Sequence, residues 1–391
     1  MTEPGDIDAS SGNSATTALR VSVVIPCLNE AEHIEECVTR AHRVLRENDI
    51  PGEVIVVDNA SEDSSGDIAR AAGATVVEQP LRGYGSAYLA GFGAAQGDYI
   101  VMIDADLTYD FDDIPLFVSK LDEGAQLVMG NRMDNIQAGA MPWMNRYIGN
   151  PLLSGFLNLI YRTTVDDAHC GMRGLRRDAL PTLRLHSTGM EFASEMVIRA
   201  AKERLDVAQV PIALHPRSGI SKLSPVRDGW RHLRLMLVHS PNFLFILPGA
   251  VLSSLGVLLI LFVFAGTSLF GRTLYVHSLI GGSLLLIVGS QVVALGLCGR
   301  AYGYFHMGER DARFERLSRR FSLEHGLLSG MVVTLAGLAV GAAIVARWIG
   351  HSFGSLGEAR LAILAVTLVI VGIQIFFVSF LLSVIALDRR V

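Results

Sequence analysis

The sequence predicts an α/β domain with a mostly parallel sheet and helices on both faces, followed by an all-α membrane domain of four transmembrane helices. Three observations carry this prediction. Short β-branched runs alternate with amphipathic stretches through the first third of the chain. Long apolar stretches appear only after about residue 242. Finally, half of the 391 residues are hydrophobic and the mean hydropathy is +0.39, both high for a wholly soluble protein.

The alternation places strands at 21–26, 53–57, 74–78, 99–103 and 127–129, with helices at 32–47, 64–72, 85–95 and 112–121. Strand–helix alternation of this length implies crossover connections and a sheet covered on both sides. Ligands of such sheets bind beyond the carboxyl ends of the strands. Three polar clusters fall there: Pro26 to Glu30 after the first strand, Asp58-Asn59 after the second, and Asp104-Ala105-Asp106 after the fourth.

Four stretches, 243–264, 278–297, 327–345 and 361–382, carry no charged residue. Each is near the roughly 20 helical residues that cross ~30 Å of hydrocarbon. Arg300, Arg310, Arg313, Arg316, Arg319 and Arg320 crowd the second connection, and Arg389 and Arg390 the C-terminus. The other loops hold only Arg272, and Arg347 with Arg360. The positive-inside rule then puts the basic loop 298–325, both termini and the first domain in the cytoplasm. Two basic amphipathic segments suit the headgroup layer: Trp230, Leu233 and Leu237 beside Arg227, Arg231 and Arg234, and Phe314, Leu317 and Phe321. The expected organisation is a disordered tail at 1–18, an α/β domain at 19–226, a juxtamembrane helix at 227–241 and a membrane domain at 242–391.

A formal net charge of −5 argues against nucleic acid as the partner. Cys27, Cys37, Cys170 and Cys298 have no CxxC or zinc spacing and read as free thiols in a reducing compartment. The first 18 residues lack the basic start and apolar core of a signal peptide.

The segment IDADLTYD (103–110) is the chemical centre. Two carboxylates one residue apart at a strand end suit Mg²⁺ or Mn²⁺, which take oxygen ligands and share them with substrate phosphates. Asp58, with Asn59 beside it, suits a nucleotide base or ribose hydroxyl, while an acidic residue at a strand end also serves as a helix cap, and Asn59 and Ser61 could equally cap the next helix. Arg82, Gly83, Gly85 and Gly91 form a glycine-punctuated loop running into a helix, which either offers amides to phosphate or is a plain turn. Arg132, Arg146, Arg173 and Arg217 stand in glycine-bearing, polar contexts, with Ser221 and Lys222 close behind, and arginine forks match phosphate oxygens. A phosphate acceptor is already anionic and needs no general base. Glu191, Glu195 and Asp167 are therefore optional as bases and equally suit caps or ion pairs.

Taken together, IPCLNE (25–30), VVDNASEDSS (56–65), GYGSAYLAGFGAAQGDYIVMIDADL (83–107), GNR (130–132), DAHCGMR (167–173) and RSGISK (217–222) resemble the family 2 glycosyltransferases. Among these the pattern is most similar to the polyprenyl- or dolichyl-phosphate hexose synthases. The resemblance covers residues 20 to 235 and implies a GT-A fold and an inverting transfer of one hexose from a nucleotide-sugar to a polyprenyl phosphate. It implies Pro26, Asn29, Glu30 and Asp58 at the nucleotide, Asp104 and Asp106 at ribose, metal and diphosphate, and Arg132, Arg146 and Arg217 facing phosphates. Thr108 and Asn59 stand where many members have Gln and Asp; the pattern leans to UDP-glucose over GDP-mannose. A processive polysaccharide synthase would need a QxxRW helix, which is missing here. A lipid-linked sugar flippase would not need intact metal carboxylates. The sequence leaves oligomeric state open, a homo-oligomer included.

Overall fold

A computed structural model describes residues 19–217, 225–269, 272–306, 314–316, 318, 323–353 and 357–387. The expected tail at 1–18, Ser221 and Lys222, Leu317, Phe321, most arginines of the basic loop, and Arg389 and Arg390 lie outside the described residues. The chain divides into two compact units, one up to Leu235 and one from Met236.

The first unit is built on a seven-stranded sheet in the order β3-β2-β1-β4-β6-β5-β7. Its elements run β1 (Val21–Cys27), α1 (Ile34–Glu47), β2 (Gly52–Asp58), α2 (Ser65–Ala71), β3 (Thr75–Glu78), α3 (Tyr84–Ala94) and β4 (Tyr99–Met102). There follow α4 (Ile114–Asp122), β5 (Leu127–Asn131), α5 (Asn150–Tyr161), β6 (Arg173–Arg176), α6 (Leu180–Leu183), α7 (Phe192–Glu203), β7 (Val207–Pro211) and α8 (Pro225–Val238). Strands β1, β2, β3 and β4 are parallel, β7 is parallel to β5, and β6 alone runs antiparallel to both its neighbours. The elements up to β5 fall within two residues of those expected, apart from a short 3₁₀ turn at Phe111–Asp113 that precedes α4.

Burial on both faces explains the apolar runs of β1, β2, β4 and β5. Val23, Ile25, Val54, Val56 and Val101 pack with Ile34, Val38, Ala41, Val44 and Phe117, joining α1 and α4 to one face. The α1 positions follow the helical repeat that makes one apolar stripe. On the other face α3 lies so close that a Cβ on Gly91 would stand 2.4 Å from Val24 Cγ1. Tyr88 of α3 stacks on Phe192 of α7, with ring centroids 5.9 Å apart. Fully burying one such aromatic or aliphatic side chain is worth about 1.5–3 kcal/mol.

The second unit contains four long apolar helices: α9 (Leu247–Phe264, entered by a π turn at Asn242–Ile246), α10 (Val276–Phe305), α11 (Leu323–Gly350) and α12 (Ala359–Ala386). Each is long and apolar enough to cross a membrane. A two-residue hairpin, β8 (Ser268–Leu269) with β9 (Arg272–Thr273), joins α9 to α10. Small residues set the helix spacing: Gly249 and Gly256 meet the backbone of α10, and Gly330 and Gly337 that of α12. Polar links join α10 to α12: Ser290 Oγ donates to Gln374 Oε1 at 2.9 Å, and His306 Nε2 lies 3.0 Å from the Ile385 carbonyl. Phe314, expected at the headgroup layer, is buried instead against Tyr304 and Phe305.

Candidate active site

A cavity of about 290 Å³ opens at the carboxyl ends of β1, β2 and β4. Pro26, Cys27, Leu28 and Glu30 line it from β1 and the loop after it, Asn59 from the loop after β2, and Asp104, Ala105 and Asp106 from the loop after β4. Gly83, Tyr84 and Ala87 at the start of α3, Met190, Arg217, and Arg227 and Arg231 of α8 complete the wall.

The two aspartates are held differently. Asp104 accepts from the hydroxyls of Tyr84 and Tyr88 at 3.2 and 3.3 Å. Its carboxyl is pushed up to about 7, first by burial and then by the charge of Asp106. Gly171 abuts it, since a Cβ there would lie 2.4 Å from Asp104 Oδ2, so the CGMR glycine makes room for the carboxylate. Asp106 accepts from the amide and hydroxyl of Thr108 at 3.1 and 2.6 Å, which fixes one oxygen. Its other oxygen lies 3.5 Å from Arg217, whose guanidinium also reaches Glu30 at 3.4 Å. Arg217 thus ties the first and fourth strand ends together.

Asn59 is a scaffold as well as a wall. Its amide donates to the carbonyls of Gln79 and Leu81 at 3.0 and 2.7 Å, and its Oδ1 accepts from Gly83 N at 2.7 Å. Gly83 has φ +148 and packs against the Thr188 carbonyl, a conformation and approach closed to other residues. The next amides of α3, Gly85 and Ser86, donate to the carbonyls of Gly189 and Thr188 at 3.3 and 3.0 Å. The helix start is therefore bonded to protein, which is the plain-turn alternative.

The other expected site residues are distributed as follows. Asp58 turns to its own loop and accepts from Ser61 N at 3.0 Å. Asn29, with φ +53, accepts from Glu62 N at 2.8 Å. Arg82 pairs with Glu62 and the Ala60 carbonyl. Arg132 does not line the cavity: it is buried in a two-pronged pair with Asp167, at 2.6 and 2.8 Å, and donates to Tyr109 at 3.1 Å. Burial alone would raise the Asp167 carboxyl, but the Arg132 guanidinium holds it below its ordinary range. Arg173 is fully buried and donates to the carbonyls of Cys170, Ala193 and Ala168. Arg146 lies beside the Tyr147 ring, apart from the cavity wall. Glu195 braces the amides of His186 and Ser187, the ion-pair or cap alternative to a base.

Two family models match the chain: glycosyl transferase family 2 over residues 22–184, and the family 2 C-terminal transmembrane region over residues 297–386. The low-salt glycan biosynthesis hexosyltransferase Agl6 of Haloferax volcanii is 41% identical over 365 residues, 93% of this chain and 88% of that one. The chain is a family 2 glycosyltransferase. A second H. volcanii relative of this glycosyltransferase, a dolichyl-phosphate hexose transferase, is 33% identical over 54% of the chain and 89% of its own length. An undecaprenyl-phosphate 4-deoxy-4-formamido-L-arabinose transferase of Pseudomonas fluorescens is 29% identical over 74% of the chain and 86% of its own length.

Sequence reasoning passed over four contributors to this glycosyltransferase site. Tyr84 and Tyr88, four residues apart on one face of α3, were given no role by the sequence, and only the fold brings their hydroxyls to Asp104. Arg227 and Arg231 read as headgroup contacts, yet both line the cavity.

Proposed function

We propose that this glycosyltransferase moves one hexose, with glucose from UDP-glucose as the first candidate, onto the phosphate of a polyprenyl phosphate at the cytoplasmic face of a membrane. The single observation that carries this reading is the meeting of Asp104, Asp106, Glu30 and Arg217 in one cavity at the strand ends. The names of the relatives, one a dolichyl-phosphate and one an undecaprenyl-phosphate transferase, support the acceptor class. The four apolar helices support a membrane-resident acceptor.

Among the described residues no group of three or more His, Cys, Asp and Glu side chains gathers as a closed metal cage. Two adjacent carboxylates fit the other kind of site, in which protein supplies one or two ligands and substrate oxygens and water supply the rest. Asp106 and Asp104 would hold such a Mg²⁺ or Mn²⁺. When bound, the ion supplies charge neutralisation for the departing diphosphate. Glu30 and Asn59 bound the nucleotide end of the cavity. Thr108 fixes the rotamer of Asp106, so one oxygen stays turned toward the cavity. Tyr84 and Tyr88 orient Asp104. The acceptor's phosphate oxygen is already a nucleophile, so the protein's task is alignment with the anomeric carbon, opposite the leaving diphosphate.

The test uses the full-length protein in detergent with a short polyprenyl phosphate and a panel of nucleotide-sugars, read by mass spectrometry. One hexose per lipid is expected, and Asp106→Ala should lower the rate at least a hundredfold, the scale of one lost transition-state charge contact. A polymeric product, or full activity in Asp106→Ala, would remove the reading. The panel itself decides between UDP-glucose and GDP-mannose.

A further inference from the structure

We infer that α8 brings Arg227 and Arg231 into the active cavity to bind the phosphate of the lipid acceptor, so that the last helix of the first unit is part of the acceptor site. The inference rests on the function proposed above and names residues for one part of it. Both arginines line the same cavity as Asp104 and Asp106. At 100° per residue, positions four apart lie about 40° from each other on a helix, so the two guanidiniums form one row.

The orientation of that row is fixed from the opposite side of the helix. His232 is buried, and its Nδ1 lies 2.8 Å from Ser194 Oγ of α7. Its ring meets that of His169 edge to face, with centroids 4.5 Å apart. His232 lies about 140° around the helix from Arg227. Docking this histidine inward therefore turns the arginine row toward the cavity, with Trp230, 60% exposed, at its flank.

The chemistry needs cations at this place. The reaction brings two anions together, the donor diphosphate and the acceptor phosphate, and Glu30, Asp104 and Asp106 already line the wall. Arg217 is engaged with two of these carboxylates. Arg227 is exposed and makes no ion pair with any described residue, so its fork is open to an incoming phosphate. A cation held by Asp104 and Asp106 would serve the donor diphosphate, so among the described residues Arg227 and Arg231 are the cations left for the acceptor phosphate.

The experiment measures both Michaelis constants for the full-length protein in detergent, using a water-soluble ten-carbon prenyl phosphate so that membrane attachment plays no part. Arg227→Gln and Arg231→Gln are each expected to raise the acceptor KM about ten- to a hundredfold, the scale of one charge-assisted hydrogen bond, with donor KM within about twofold. Arg227→Lys should recover part of the loss, because an ammonium keeps the charge without the fork. An unchanged acceptor KM in both glutamine variants would overturn the inference. So would a rise confined to donor KM, which would assign the row to the diphosphate. So would a loss seen only in anionic vesicles and not with the soluble acceptor, which would make the row a membrane contact. If the unaltered protein transfers sugar to no prenyl phosphate, the underlying function fails and this inference falls with it.

Discussion

A buried histidine shows how much of the catalytic unit depends on groups that sequence pattern cannot rank. His169 Nδ1 is enclosed without a hydrogen-bond partner, and its ring is pushed down to about 3, first by burial and then by neighbouring His232. The unfolded imidazole takes a proton near its ordinary 6.5. Stability from the neutral ring is therefore complete above that value and drains as pH falls through the window from 6.5 toward 3. Between pH 7 and 5 the expected loss is about 2 kcal/mol, before carboxylates contribute. Thermal melting of the full-length protein at those two pH values should show the drop, and His169→Phe should flatten it; an equal drop in the variant would place the titration elsewhere. His169 was visible as part of DAHCGMR, but its burial was not. The same holds for Arg132 and Arg173, which read as phosphate ligands because arginine in a glycine-bearing loop is a surface residue far more often than a core one. Here Asp167 satisfies one and three backbone carbonyls the other, so both are internal braces.

Among the elements, legibility followed burial. Strands β1, β2, β4 and β5 could be read because they carry buried apolar runs, and α1 because its stripe repeats at helical spacing. Strand β6 could not, since its sequence RGLR hides a buried strand behind two arginines. Helix α7 is buried along most of its length and carries Ser194, Glu195 and Arg199 inside, so it shows no polar face to mark its period. The loop from β2 to α3 belongs to this scale too, because Asn59 ties its two ends together beside the Arg82 contacts to Ala60 and Glu62. Replacing Asn59 by Ala removes three hydrogen bonds and leaves the Gly83 amide and two carbonyls to find other partners. At about 1 kcal/mol each the cost is roughly 3 kcal/mol. Because Gly83 and Tyr84 line the cavity, donor KM should rise about tenfold along with the lower melting temperature. Lost stability with an unchanged donor KM would confine Asn59 to the scaffold.

For the whole molecule, sequence located the four apolar stretches, and the last three helices continue past them through Arg300, Glu324, Arg347 and Arg360. Charged residues can extend a spanning helix past the hydrocarbon at little cost by reaching into the headgroup layer. Orientation then turns on which connection carries the positive charge. Arg347 is already paired with Glu358 at 2.8 Å across the turn between α11 and α12, whereas the α10–α11 connection gathers arginines. In the orientation we propose from the positive-inside rule, that second connection is cytoplasmic and the α11–α12 turn lies on the far side. Single cysteines can check this. Cys27, Cys37 and Cys170 are buried and pushed up to about 12 by burial, so they should stay silent toward maleimide in the folded protein. With Cys298 replaced by Ser, a membrane-impermeant maleimide added to intact cells should label Ser352→Cys and leave Ser318→Cys unlabelled. Inside-out vesicles should reverse the pattern. Labelling of both from one side would break the four-span topology, and a swapped pattern would put the sugar-transfer site on the face where nucleotide-sugars are not made.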